Sequence, residues 1–450
     1  MIDQLLTQII LRIILFFGLI PFLMGCGSVS RALEGIGTQI KNPSDRSMSE
    51  GDRLLEEGRK SEALLAYRQA VEQNPHNLPA LQKLAKAYAD QGRKRLARRY
   101  LQAALLIEPE NIPIKGELIS LNPSPVANSP LTLEDEVLLE NDTPTGFIIS
   151  NASIFITFEK GSVKAVNADN GLPLWQTTVP STITNAPGRS DGSILVGAED
   201  GKLYALSITD GKILWNFPTG SPIYATATAT SDTIFCGSSD GTLYAIKTTD
   251  GSLHWKYQTS GALRSQPTTF EKWVIFGSAD SHIYALDQIT GEPFWKNGII
   301  TQGAVESQPV ISNGRVVFGS GDGRVYSLDL KTGGEYWRYS TPDSVYASPL
   351  ITEGTTFIAS SGQIVAAVNE LTGEPIWETS TPIAINLTPA LFEDKIYFAG
   401  PGDPNLYSID QVNGKLLWKM DTGDWIAASP LVDKGRIFIL GKDGTLLVYK

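Results

Sequence analysis

Histidine and cysteine are nearly absent: the 450 residues hold three of the first and two of the second. His76, His254 and His282 are too scattered along the chain to assemble a histidine metal triad. Two cysteines, Cys26 and Cys236, cannot form a multi-disulfide framework. Positive charge is also short, since 37 Lys and Arg face 48 Asp and Glu, for a formal net charge of −11. Phosphate-backbone binding needs a basic surface, so nucleic acid drops out as a partner. A run long enough to span a bilayer is missing as well: residues 13–24 are almost wholly apolar but fall short of roughly 20 residues. What the chain has is glycine, 42 residues of it, with 42% apolar and 19% charged residues. Such a composition suits a folded, turn-rich protein.

The opening "MIDQLLTQIILRIILFFGLIPFLMGC" places Arg12 before that short apolar run, as in the core of a secretion signal. Its end, Leu23-Met24-Gly25-Cys26, resembles a bacterial lipobox. The resemblance implies a signal peptide over 1–25 and a lipidated Cys26 that tethers the chain to a membrane. Gly27 resembles the outer-membrane sorting choice, so the expected location in a Gram-negative envelope is the outer membrane, facing the periplasm. An uncleaved anchor helix is the alternative. Residues 26–46 read as a flexible tether reaching about 25 Å.

From Ser47 the chain repeats at 34 residues. Gly51, Ala63, Tyr67, Ala70 and Pro75 recur in register as Ala85, Ala97, Leu101, Ala104 and Pro109. The spacing and residue types resemble the tetratricopeptide repeat: small residues where two helices cross, a bulky one in the groove, a proline closing the pair. Two repeats over 47–121, with "NIPIKGELISL" as a capping helix, form the expected module. The resemblance makes Gln82 and Lys86 groove-facing candidates for partner binding. Arg93, Lys94, Arg95, Arg98 and Arg99 form the one cationic cluster of an acidic protein. They read as a solvated helix face, with an acidic protein surface or lipid headgroups as the sharper alternative. Residues 122–130 read as a linker.

The remainder is one motif repeated: a small residue, five residues, Gly, three residues, Trp. It ends at Trp175, Trp215, Trp255, Trp295, Trp337, Trp377 and Trp418, at spacings of 40, 40, 40, 42, 40 and 41. A period near 40 built from short strands means a β-propeller. Each unit reads as four strands, with an Asp-Gly turn of the two-residue hairpin type between the second and third. The tryptophans read as wedges between blades rather than as chemistry. After Trp418 an eighth unit stops after three strands, which would leave an open edge. The acidic-apolar segment at 131–140 is the candidate for its missing outer strand. The expected fold is therefore mainly β: an eight-bladed propeller over 131–450 preceded by a small all-α module.

This pattern resembles the pyrroloquinoline-quinone-repeat propellers, and within them the BamB-type lipoproteins. The resemblance implies a non-catalytic scaffold for envelope proteins, in the machinery that inserts outer-membrane β-barrels. The helical module is a departure from that family. Quinone-dependent dehydrogenases share the tryptophan motif only. They hold the cofactor beneath two adjacent cysteines and carry long site-building loops, and this chain has neither. Neither cofactor nor metal is expected: Asp240, Asp280, Asp322 and Asp443 belong to turns that already explain them. A propeller that holds a small ligand or glycan at its axis stays open. Trp425, in "TGDWIAASP", falls between blades. It is read either as a partner anchor or as inter-blade packing.

Overall fold

A computed structural model describes residues 42–121, 131–139 and 142–450. The expected signal peptide, Cys26 and the 122–130 linker lie outside the described residues. One compact unit runs through Ala87 and takes in Ala103–Asn111; the other comprises Tyr88–Gln102 and Ile112–Lys450.

Among the described residues five helices precede the strands: α1 (Pro43–Glu56), α2 (Lys60–Gln73), α3 (Leu78–Asp90), α4 (Lys94–Ile107) and α5 (Ile112–Ser120). The first starts four residues before Ser47, inside the expected tether. The local signal is complete: Asn42 caps Ser44 N–H with its side chain, Pro43 stands in the first turn and Asp45 follows. Within the first unit, a β-carbon on Gly51 would lie 2.5 Å from the Tyr67 ring, which explains the small residue at that repeat position. Tyr67 in turn donates to Asp52 at 2.8 Å, and Lys83 is ion-paired to the same carboxylate. Helix α5 stands where the capping helix was expected. No helix among the described residues is long and apolar enough to cross a membrane.

Eight four-stranded antiparallel sheets follow. Seven are built from consecutive strands. The eighth joins Leu133–Leu138 to the three C-terminal strands, pairing it with Thr445–Tyr449. Thr132 and Lys450 exchange backbone hydrogen bonds beyond that ladder at 2.7 and 3.0 Å. The propeller therefore closes its ring by pairing the two ends of its own domain, as the open edge required.

The motif residues meet across blade boundaries. Except in the fourth blade, each small residue lies opposite the tryptophan of its own blade, as Ala205 does Trp215 and Ala245 does Trp255. From Gly211 onward each motif glycine packs on the tryptophan of the preceding blade. At Gly251 φ is +71°, and a β-carbon would sit 2.6 Å from the Trp215 ring; Gly211 stands likewise on Trp175. Both the turn and the contact thus demand glycine. Four indoles, those of Trp175, Trp255, Trp337 and Trp377, donate to a backbone carbonyl of the next blade at 2.9 to 3.0 Å. The apolar clusters likewise span neighbouring blades.

Two details differ from the sequence reading. The Asp-Gly turns are three-residue loops with glycine alone at positive φ, as at Ser239–Gly241, where Ser238 and Thr242 pair. The two-residue hairpins lie one turn earlier, at Asn313-Gly314 and Glu353-Gly354, with both residues at positive φ. In the fourth blade Trp295 lies outside the strands, and the outer strand is only Ile299–Ile300. The two extra residues before Trp337 accommodate that turn.

Candidate functional site

The groups that would carry chemistry are either spent or apart. Cys236 is fully buried, and burial pushes its thiol up to about 12, so it is inert at neutral pH. His76 and His254 are exposed, and His282 bonds to the backbone of Asp280. No group of metal-ligating side chains occurs among the described residues. The turn aspartates have internal partners. In five blades one oxygen accepts from a backbone N–H two residues on, and the other accepts from a tyrosine four residues on. Asp240 takes Thr242 N–H at 2.7 Å and the Tyr244 hydroxyl at 2.9 Å. Asp200, Asp280, Asp322 and Asp403 pair with Tyr204, Tyr284, Tyr326 and Tyr407.

The eighth blade breaks this rule. Four residues after Asp443 stands Leu447, so no tyrosine reaches the carboxylate. Arginines of α4 take that place. Arg99 reaches Asp443 at 3.2 Å, and Arg95 approaches the same oxygen at 3.3 Å. Arg95 also donates to Thr422 O, and its backbone N–H donates to Gly423 O at 2.7 Å. Arg93 pairs with Asp424 at 2.9 Å and Lys94 with Asp421 at 2.7 Å. Asp424 and Asp443 are both fully buried at their side chains. Burial, then the neighbouring Asp443 charge, pushes Asp424 up to about 6 against the pull of Arg93. The basic run is therefore not a solvated helix face, because Arg95 is buried and Arg93, Lys94, Arg95 and Arg99 pair with acidic residues of the same compact unit.

Trp425 belongs to this cluster. Its indole N–H donates to Gln91 O at 3.1 Å, and the Arg93 and Lys442 cations lie 5.2 and 5.9 Å from its ring. The ring is half-buried and already engaged by the chain's own residues. The signals for this arrangement were the missing tyrosine after Asp443 and a bulky Trp425 where other blades carry Ala262, Ala304 or Ala384. Gln82 and Lys86 stand on α3 of the first unit, four residues apart on one face, the first half-buried and the second exposed. The tryptophans of the repeat are inter-blade contacts. At the propeller axis a cavity of about 740 Å³ is lined by Arg189, Gln266, Gln308, Ser348, Thr388 and Asp433, among others.

A family model described as outer membrane protein assembly factor BamB matches residues 159–279, 220–302, 279–387 and 361–450. The chain belongs to that family. A tetratricopeptide repeat model matches residues 54–116. Among solved structures, BamB from Moraxella catarrhalis is 22% identical with a TM-score of 0.64, covering 72% of this chain and 98% of its own. The computationally designed Ika8 protein is 19% identical at 0.62, covering 69% and 96%. Sqt1 of Saccharomyces cerevisiae is 13% identical at 0.60, covering 70% and 97%. At these identities the three show the fold. A search of curated proteins returned no match. The BamB-family propeller here carries a tetratricopeptide segment in the same chain, with residues 88–102 built into the propeller's compact unit.

Proposed function

We propose that the chain is an envelope scaffold, tethered through a lipid on Cys26, that binds other proteins and catalyses no reaction. Its propeller serves outer-membrane β-barrel assembly, and the helical face carrying Gln82 and Lys86 contributes a second contact. The observation that carries this reading is the match of residues 159–450 to the BamB family model. It is supported by the packing, in which the motif tryptophans, the turn aspartates and Cys236 all serve the blades. Crosslinking pull-down of the full-length protein from native membranes tests it. Recovery of the barrel-insertion core is expected; reproducible recovery of a different envelope complex alone would overturn the assignment to barrel assembly.

A second reading, a ligand held at the axis, is favoured by the cavity of about 740 Å³, whose mixed lining includes Arg189, Gln266 and Asp433. Inner strands of neighbouring blades are tied together, as Thr228 donates to Pro267 O and Thr268 to Pro309 O, both at 2.6 Å. The scaffold reading stands first because it rests on the family match.

A further inference from the structure

Arg95, Arg98, Arg99 and Gln102 recur at the three- and four-residue spacing that places side chains on one face of a helix. That face of α4 borders a cleft of about 230 Å³, completed by Glu136 and Thr445. The cleft is independent of the axial cavity and of the Gln82 and Lys86 face.

Its charges do not balance. Arg95 and Arg99 share one carboxylate, that of Asp443. The half-exposed Glu136 lies 3.7 Å from Arg95. Arg98 has neither an ion pair nor a hydrogen bond among the described residues, and its Nε is buried without an acceptor. The Nε of Arg95, on a side chain more than nine-tenths buried, instead faces the Asp443 carboxylate at 3.3 Å. Three guanidinium groups against two carboxylates leave one positive charge. A buried cationic donor left without an acceptor, as at Arg98, is costly, and a bound oxyanion would satisfy it. Planar guanidinium forks match the oxygens of a phosphate group, and the cleft has room for several waters or one small polyatomic anion.

We propose that this cleft binds a phosphate group of single negative charge, with Arg98 as its principal ligand. The group can come from a phosphodiester lipid headgroup or from free phosphate. Arg98→Ala is a clean probe, because Arg98 takes no part in the ion pairs to Asp424 or Asp443.

The test uses the full chain with Cys26→Ser, which removes the expected lipid. Inorganic phosphate is titrated calorimetrically, and flotation is compared on phosphatidylcholine vesicles with and without phosphatidylglycerol. Saturable binding to phosphate, or flotation specific to the anionic vesicles, is expected. Arg98→Ala should weaken it about tenfold or more, as for loss of one charged hydrogen bond, with the melting temperature unchanged. Binding of phosphate without vesicle preference assigns a soluble ligand, and the reverse assigns a headgroup. Absence of both, or equal binding by Arg98→Ala, overturns the proposal.

Discussion

At the scale of single residues, the repeat motif is an inter-blade joint. A glycine at positive φ lies flat on the tryptophan of the blade before it, so Gly251→Ala meets two objections at once: φ of +71° and a contact of 2.6 Å. The expected loss is about 2 kcal/mol or more, above the cost of an ordinary surface change. Urea unfolding of the two proteins measures it, and equal midpoints would mean that the joint tolerates a β-carbon. Asp424 offers a second residue-scale prediction. With its carboxyl pushed up to about 6, the folded protein keeps a proton that the unfolded chain releases near the ordinary carboxylate value. That contribution is present at low pH and is lost as pH rises from about 4 to 6. Relative to Asp424→Asn, which cannot titrate, the native protein should lose on the order of 2 kcal/mol across this window. Parallel stability curves from pH 4 to 6.5 would contradict the buried, raised carboxyl.

At the scale of elements, closure of the ring depends on the strand Leu133–Leu138. The eighth blade has no motif tryptophan, and Val137 takes its place: a β-carbon on Gly171 of the first blade would lie 2.4 Å from the Val137 side chain. Trp418 of the seventh blade faces a blade without a motif glycine, and its indole N–H is buried without a partner. Val137→Asp puts a charge into this joint. We expect a loss of about 2–3 kcal/mol and, for a domain of this size, a melting temperature lower by roughly 5 °C. An unchanged melting curve would mean that the closing strand contributes little. Most of this architecture was legible, because the Gly and Trp positions repeat without a change of internal spacing and an incomplete last blade demands a strand from elsewhere. The turn types were less so. Asp-Gly suits a two-residue hairpin and a three-residue loop alike, and only the register between Ser238 and Thr242 separates them. The fate of Arg93, Arg95 and Arg99 was illegible for another reason. Their partners lie more than 300 residues away, and local periodicity carries no record of such pairing.

At the scale of the whole molecule, an acidic BamB-family propeller and a tetratricopeptide segment share one chain. Residues 88–102 belong to the propeller's compact unit, so excising the helical repeats at 47–111 would leave Asp424 and Asp443 buried without their arginines. Removing one partner of a buried pair is strongly destabilising. Point substitutions such as Lys86→Glu are therefore the sound way to separate the two contacts, and Lys86→Glu should weaken a helical-face partner while leaving the propeller's stability unchanged. The central claim is that the chain works by binding protein. It is tested most directly by hydrogen exchange of the full-length protein with and without saturating purified barrel-insertion core from the same organism. The account predicts new protection on propeller loops. Identical exchange at every propeller segment would contradict it.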